Sequence, residues 1–151
     1  MIAIASDHGG LELKEEIKEL LKERGLSCQD LGTNNGDSVD YPDFGCAVAS
    51  RVSSGSAEQG ILVCGTGIGM SIVANKYPRV RAALATDVFM ATMAKEHNNA
   101  NILVLGGRVL QAPVAREMVS AWLDTAFAGG RHQARLDKIA ALESELKLQC
   151  A

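Results

Sequence analysis

The chain of 151 residues predicts an α/β fold: one five-stranded parallel sheet, doubly wound, with helices on both faces in a three-layer arrangement. Two patterns carry this. Short apolar runs such as Ile2-Ala3-Ile4-Ala5 and Ile61-Leu62-Val63 lack the polar alternation of a half-exposed strand, as expected where both faces are covered. Between them lie segments whose apolar residues recur every three or four positions, the helical period. Regular strand–helix alternation then argues for parallel pairing through crossovers.

Ile2-Ala3-Ile4-Ala5 is the first strand, and the helix after Gly9-Gly10 carries Leu13, Ile17, Leu20 and Leu21 on one face, with Lys14, Glu15, Lys18, Glu19 and Lys22 elsewhere. Gly25 stops that helix, and Leu26 to Leu31 form a second strand. A polar loop from Gly32 to Asp40 leads to Tyr41-Pro42 and a helix through Val48 and Val52, ended near Ser53-Ser54-Gly55. Strands over 60–64, 80–85 and 101–106 then alternate with helices over 68–76, 88–98 and 113–126. The whole reads as one Rossmann-like domain over residues 1–151. A further helix over about 131–148, beyond Gly129-Gly130, carries Leu136, Ile139, Leu142 and Leu146. That stripe has no place in the sheet layers and predicts packing on a second subunit.

Composition narrows the functional classes. A net charge of -3 and a pI near 5.6 argue against a nucleic-acid surface, and no basic run appears. Asp7-His8 interrupts the N-terminal apolar run too early for a signal peptide, and no apolar stretch reaches membrane-spanning length. Cys28, Cys46, Cys64 and Cys150 are widely spaced, which suggests neither a disulfide framework nor zinc, so a cytoplasmic location is expected.

Ligands of doubly wound sheets bind beyond the carboxyl ends of the strands. That rule gathers Asp7 and His8, the run Cys64-Gly65-Thr66-Gly67-Ile68-Gly69, Asp87, and Gly107-Arg108 on one rim. Gly65, Gly67 and Gly69 let the backbone turn tightly and approach a ligand. The following helix aims its first amides at that place, which favours negative charge on a ligand oxygen or on the Cys64 sulfur. Three alternatives stand beside this reading: Cys64 as a small buried hydrophobe, a dinucleotide loop with Asp87 as its ribose acid, and a non-catalytic binding module. Neither the Walker spacing nor a full G-x-G-x-x-G is present. His97 completes a helical stripe with Met90, Met93 and Ala94, so spacing alone leaves it a core histidine or a helix-end cation. Arg131 and Arg135, four apart, share a helix face and suit either solvent or a phosphate.

Several blocks in order resemble the ribose-5-phosphate isomerase B family, which widens to galactose-6-phosphate isomerase subunits. They are Ser6-Asp7-His8-Gly9-Gly10, Asp40-Tyr41-Pro42-Asp43, Cys64 through Ser71, Asn75-Lys76, Arg81-Ala82-Ala83, Glu96 through Asn101, Gly107-Arg108 and Gly129-Gly130-Arg131-His132. The resemblance implies an aldose–ketose isomerase acting on D-ribose 5-phosphate and D-ribulose 5-phosphate through an enediolate. It implies Cys64 as the proton-transfer base, His97 for ring opening, and Thr66 with the backbone of Gly65, Gly67, Ile68 and Gly69 around the oxyanion. Asp7 and Asn98 would hold sugar hydroxyls, and Arg131 and Arg135 with His8 would hold the phosphate, with Arg108 a further binding residue. In the family His97, Asn98 and Arg108 come from the partner subunit, so a homodimer with shared sites, or a tetramer, is implied. No cofactor is expected, nor a metal, since His8, His97 and His132 lack ligand spacing. Val88-Phe89-Met90 departs from the polar-aromatic segment of many relatives, which keeps allose 6-phosphate, galactose 6-phosphate and tetrose phosphates open as substrates.

Overall fold

The computed structural model describes residues 1–149, and Cys150 lies outside the described residues. Five strands, β1 (Ile2–Ser6), β2 (Cys28–Asp30), β3 (Gln59–Cys64), β4 (Ala82–Leu84) and β5 (Ile102–Gly106), form one sheet in the order β2-β1-β3-β5-β4. Every pairing is parallel, with Ile4 opposite Ile61 and Cys64 opposite Gly106. The chain leaves β1 toward β2 on one side and returns to β3 on the other. The sheet therefore reverses its winding between β1 and β3, and a crevice opens at their carboxyl ends.

The period of two in the strands divides the core. Ile2, Ile4, Ile61, Val63, Leu103 and Leu105 face α1 (Leu11–Glu23) and α5 (Ala112–Asp124), where Ile17, Leu21, Met118 and Trp122 are buried. Ala3, Ala5, Leu62, Cys64, Ile102 and Val104 face α2 (Tyr41–Ser54) and α3 (Ile68–Ala74). Both strand faces are thus apolar, which is why the runs showed no alternation. Helix α4 (Val88–Glu96) packs beside α5, and α6 (Arg131–Gln149) lies outside the layers.

The edge strands are shorter than expected. The Leu26 amide donates to the Leu21 carbonyl and closes α1, so it is unavailable to a strand. On β4, the Arg81 amide donates to the Asn101 side chain, which replaces the ladder there. Helix α3 ends at Ala74 because Lys76 and Tyr77 donate three residues back and tighten the last turn. Lys14 is corrected as well: grouped above with the polar positions of α1, its side chain is fully buried. It lies three residues before Ile17 and seven before Leu21, which places it on the apolar stripe.

Helix α6 is fixed at its start, where His132 stacks on His97, and further along, where both Glu143 carboxylate oxygens accept the Arg79 amide. Its stripe of Leu136, Ile139, Leu142 and Leu146 lines a groove of about 840 Å³ against Tyr77, Val80 and Ala82. Ile139, Leu142 and Leu146 remain about half exposed. Among the described residues, no helix is long and apolar enough to cross a membrane.

Candidate active site

The buried strand β3 ends on Cys64, and the chain turns at once through Gly67, whose φ of 82° is open to glycine and strained for other residues. This turn brings the Gly67 amide 3.2 Å from the Cys64 sulfur, to which it donates. The Ile68 amide points at Thr66 Oγ1, 3.4 Å away. Tyr41, at the start of α2, lays its ring under Gly69, where an added Cβ would come within 2.5 Å of a ring carbon. Thr66 is exposed beside the buried Cys64.

Asp7 and His8 follow β1 across the crevice. The Asp7 amide donates to the Val63 carbonyl, and its carboxylate accepts the Gly10 amide at 3.1 Å, capping a short 3-10 turn. His8 accepts the Val39 amide at Nδ1, 3.2 Å away, so that nitrogen presents its lone pair and Nε2 carries the proton. Arg108 is anchored through its amide to the Gly65 carbonyl at 2.9 Å. Its guanidinium lies over the backbone of Gly9 and Gly65, 3.4 to 3.5 Å from where their Cβ atoms would be.

The remaining site residues lie elsewhere. His97 caps the C-terminus of α4, and a helix leaving the carboxyl rim must end near the amino end of the sheet. The Asn101 carbonyl accepts the Gly60 amide at the start of β3, while Cys64 ends that strand. Four strand steps separate them, about 13 Å at ~3.3 Å per residue. Asn98 is next to His97, its carbonyl and that of Asn99 accepting from Arg81 Nε at 3.2 and 3.0 Å. His132 stacks on His97 with centroids 4.1 Å apart and planes 11° from parallel, which brings the start of α6, with Arg131 and Arg135, to the same end.

Within one chain, Arg108 sits on the rim of its own Cys64. The His97–His132 stack holds the start of α6, with Arg131 and Arg135, at the end opposite His8. Asp87, the acid that a ribose would need, is engaged as the N-cap of α4, its carboxylate accepting the Met90 amide at 2.7 Å. Sequence reasoning missed the His132 stack and the Val39 amide on His8. Neither has a sequence signal, since each joins residues more than thirty positions apart.

Burial and then the charges of His97, Arg131 and Arg135 hold the His132 imidazole below its ordinary value. The unfolded chain therefore binds this proton first, and the stack contributes stability that is present above about pH 6.5 and lost as pH falls. His132→Phe keeps a ring on His97 without the titration. Its melting temperature should fall less than that of the unaltered protein between about pH 7.5 and 5.5. An identical fall in both proteins would remove His132 as the cause.

The sequence pattern described as Ribose/Galactose Isomerase matches residues 2–139. Ribose-5-phosphate isomerase B of Escherichia coli (strain K12) is 42% identical over 142 residues, covering 94% of this chain and 95% of that protein. The solved structure of Clostridium thermocellum ribose-5-phosphate isomerase B superposes with a TM-score of 0.94 at 52% identity, over 96% of this chain and 98% of that one. Ribose-5-phosphate isomerase B from Mycoplasma genitalium, solved with bound ribulose 5-phosphate, superposes with a TM-score of 0.92 at 45% identity, over 95% and 96% of the two chains. With a pattern match from the first strand into α6 and near-complete overlap with these structures, the chain belongs to the ribose/galactose isomerase family.

Proposed function

We propose that the protein interconverts D-ribose 5-phosphate and D-ribulose 5-phosphate, and that each active site is built from two copies of the chain. The observation that carries this is the thiol of Cys64 at the mouth of the glycine loop, with the Gly67 amide donating to its sulfur. A binding module has no use for such a group, whereas an enediolate reaction needs both a base and an array of donors.

Cys64, as thiolate, takes the C2 proton of the open-chain aldose and returns it to C1, while the O2 proton passes to O1, so that the carbonyl moves from C1 to C2. The charge that develops on the substrate oxygens is met by the amides of Gly65, Gly67, Ile68 and Gly69 and by the Thr66 hydroxyl. Asp7, together with Asn98 of a second chain, holds the sugar hydroxyls. His97 of a second chain moves the proton between the anomeric hydroxyl and the ring oxygen, which opens the furanose before isomerisation. Arg131 and Arg135 arrive with that His97 and clamp the phosphate against His8 and Arg108 of the first chain. The half-exposed stripe of α6 supports a second copy, which would cover Ile139, Leu142 and Leu146 in a dimer or tetramer.

The direct test is incubation with ribose 5-phosphate and no added cofactor. Ketose should form, and its absence would sink the reading. Allose 6-phosphate, galactose 6-phosphate and erythrose 4-phosphate assayed beside it rank the alternatives. Arg135→Ala and Arg131→Ala should each raise KM by about 10- to 100-fold, since hydrogen bonds to charged groups are worth ~1.5–3 kcal/mol. Part of the effect falls on kcat, because remote binding energy helps to position the sugar. Unchanged KM and unchanged inhibition by inorganic phosphate would make the pair a solvated surface.

A further inference from the structure

We infer that Lys14 is a positioning residue for His8, acting through the loop between β2 and α2; its consequence for catalysis rests on the reading of His8 as a phosphate ligand. Lys14 is fully buried on the apolar face of α1, where a leucine would pack at no electrostatic cost. Its ammonium donates to both Asp30 carboxylate oxygens, at 2.8 and 2.9 Å, and to the Thr33 carbonyl at 2.6 Å. Glu15 Oε1 lies 3.7 Å from the same nitrogen. Asp30 also accepts from Lys18, with the ions 2.7 Å apart, and from the Gly32 amide at 2.9 Å. Burial alone would raise the Asp30 carboxyl, but the hydrogen bonds from Lys14, Lys18 and Gly32 outweigh it and hold it below the usual carboxylate value. Asp30 therefore stays ionised as the fixed point of the cluster.

What the cluster fixes is the backbone that flanks the active site. The Ser6 amide donates to the Gly32 carbonyl and the Thr33 amide to the Ser6 carbonyl, each at 2.7 Å, and Ser6 directly precedes Asp7 and His8. The Phe44 ring rests on Gly32, where a Cβ would come within 2.7 Å of a ring carbon. The seat of Gly32 thereby sets where α2 begins, and with it Val39 just ahead of that helix. The Val39 amide is the group that occupies His8 Nδ1. Lys14 thus holds both ends of the arrangement that gives His8 its Nε2–H tautomer and turns that donor away from the loop. A phosphate oxygen is an acceptor, so the tautomer decides whether neutral His8 can serve it.

The readout is the long-range proton–nitrogen spectrum of the imidazoles at about pH 8.5, well above the ordinary imidazole range. The chain has three histidines, His8, His97 and His132, so His8 is assigned by its loss in His8→Asn. The unaltered protein should show His8 only as the Nε2–H tautomer. Lys14→Met keeps the length of the side chain and should give a mixture of tautomers, with KM for ribose 5-phosphate raised about 3- to 10-fold, one hydrogen bond's worth, and little change in kcat. Val39→Pro removes the donor itself and should reproduce both effects. If Lys14→Met does not fold, Asp30→Asn, which keeps the shape of the carboxylate, carries the same measurement. A folded variant in which His8 remains entirely Nε2–H overturns the inference. Mixed tautomers with an unchanged KM would leave Lys14 as the positioning residue and remove His8 from the phosphate site.

Discussion

Cys64→Ala should lose about 10²- to 10⁴-fold in kcat, the usual contribution of a positioned acid or base, and so raise the barrier by ~3–5 kcal/mol. KM should change little, because in the proposed reaction the sulfur meets the carbon that reacts and not the phosphate. The competing account is purely structural. Cys64 is 5% exposed and packs on the α2–α3 side of the sheet, so its sulfur fills space beside Leu62 and Met70. On that account, truncation leaves a small void, costs about 1 kcal/mol of stability and spares turnover. The two accounts separate in one experiment that measures melting temperature, kcat and KM on the same protein. A variant that melts slightly lower and turns over at near-normal rate would remove Cys64 from the chemistry. A variant that binds substrate at normal KM and is nearly inert places the proton transfer at the sulfur. Cys64→Ser sharpens the contrast: it restores an acceptor for the Gly67 amide, yet a hydroxyl is a far weaker base than a thiolate.

Most of the fold was legible because two rules act together. The apolar runs could only be strands covered on both sides, and alternation with helices forces parallel pairing. The same rules placed Asp7, Cys64 and Arg108 on one rim, since each lies at or just past the carboxyl end of a strand. Lys14 was also legible in principle, because its spacing to Ile17 and Leu21 is that of the buried stripe. A lysine is so rarely buried without a partner that its charge outweighed its position, and the partner, Asp30, lies on another element. What could not be read was any relation between distant segments, such as the ring of Tyr41 under Gly69 or His132 on His97. Arg108 was legible by topology, since its position after β5 places it on the Cys64 rim, whereas the resemblance assigns it to the partner subunit.

Mixing Cys64→Ala with His97→Asn subunits, each nearly inactive alone, should restore activity. The structural reason is the length of β3 and β5. Cys64 closes one end of the sheet and His97 stands beyond the other, the two ends of β3 being about 13 Å apart, with a packed core on either side. Hinge motion within one chain cannot close that gap without dismantling β5, whose residues are all buried. Chemistry that needs both groups therefore has to take them from different chains. In a heterodimer, the site that pairs the intact Cys64 of one chain with the intact His97 of the other is whole, and the second site lacks both. Random exchange between equal amounts makes half of the dimers mixed, each with one working site of two, so about a quarter of normal activity is the ceiling. Subunit exchange should be verified independently, for instance by native mass spectrometry of tagged chains. No recovery after verified exchange, or a monomer with full activity by sedimentation, would confine the site to one chain and leave His97 with a structural role at the end of α4. Recovery toward a quarter requires the two ends of two sheets to face each other, and the unfilled apolar stripe of α6, anchored beside His97 through His132, is the surface that such a pairing would cover.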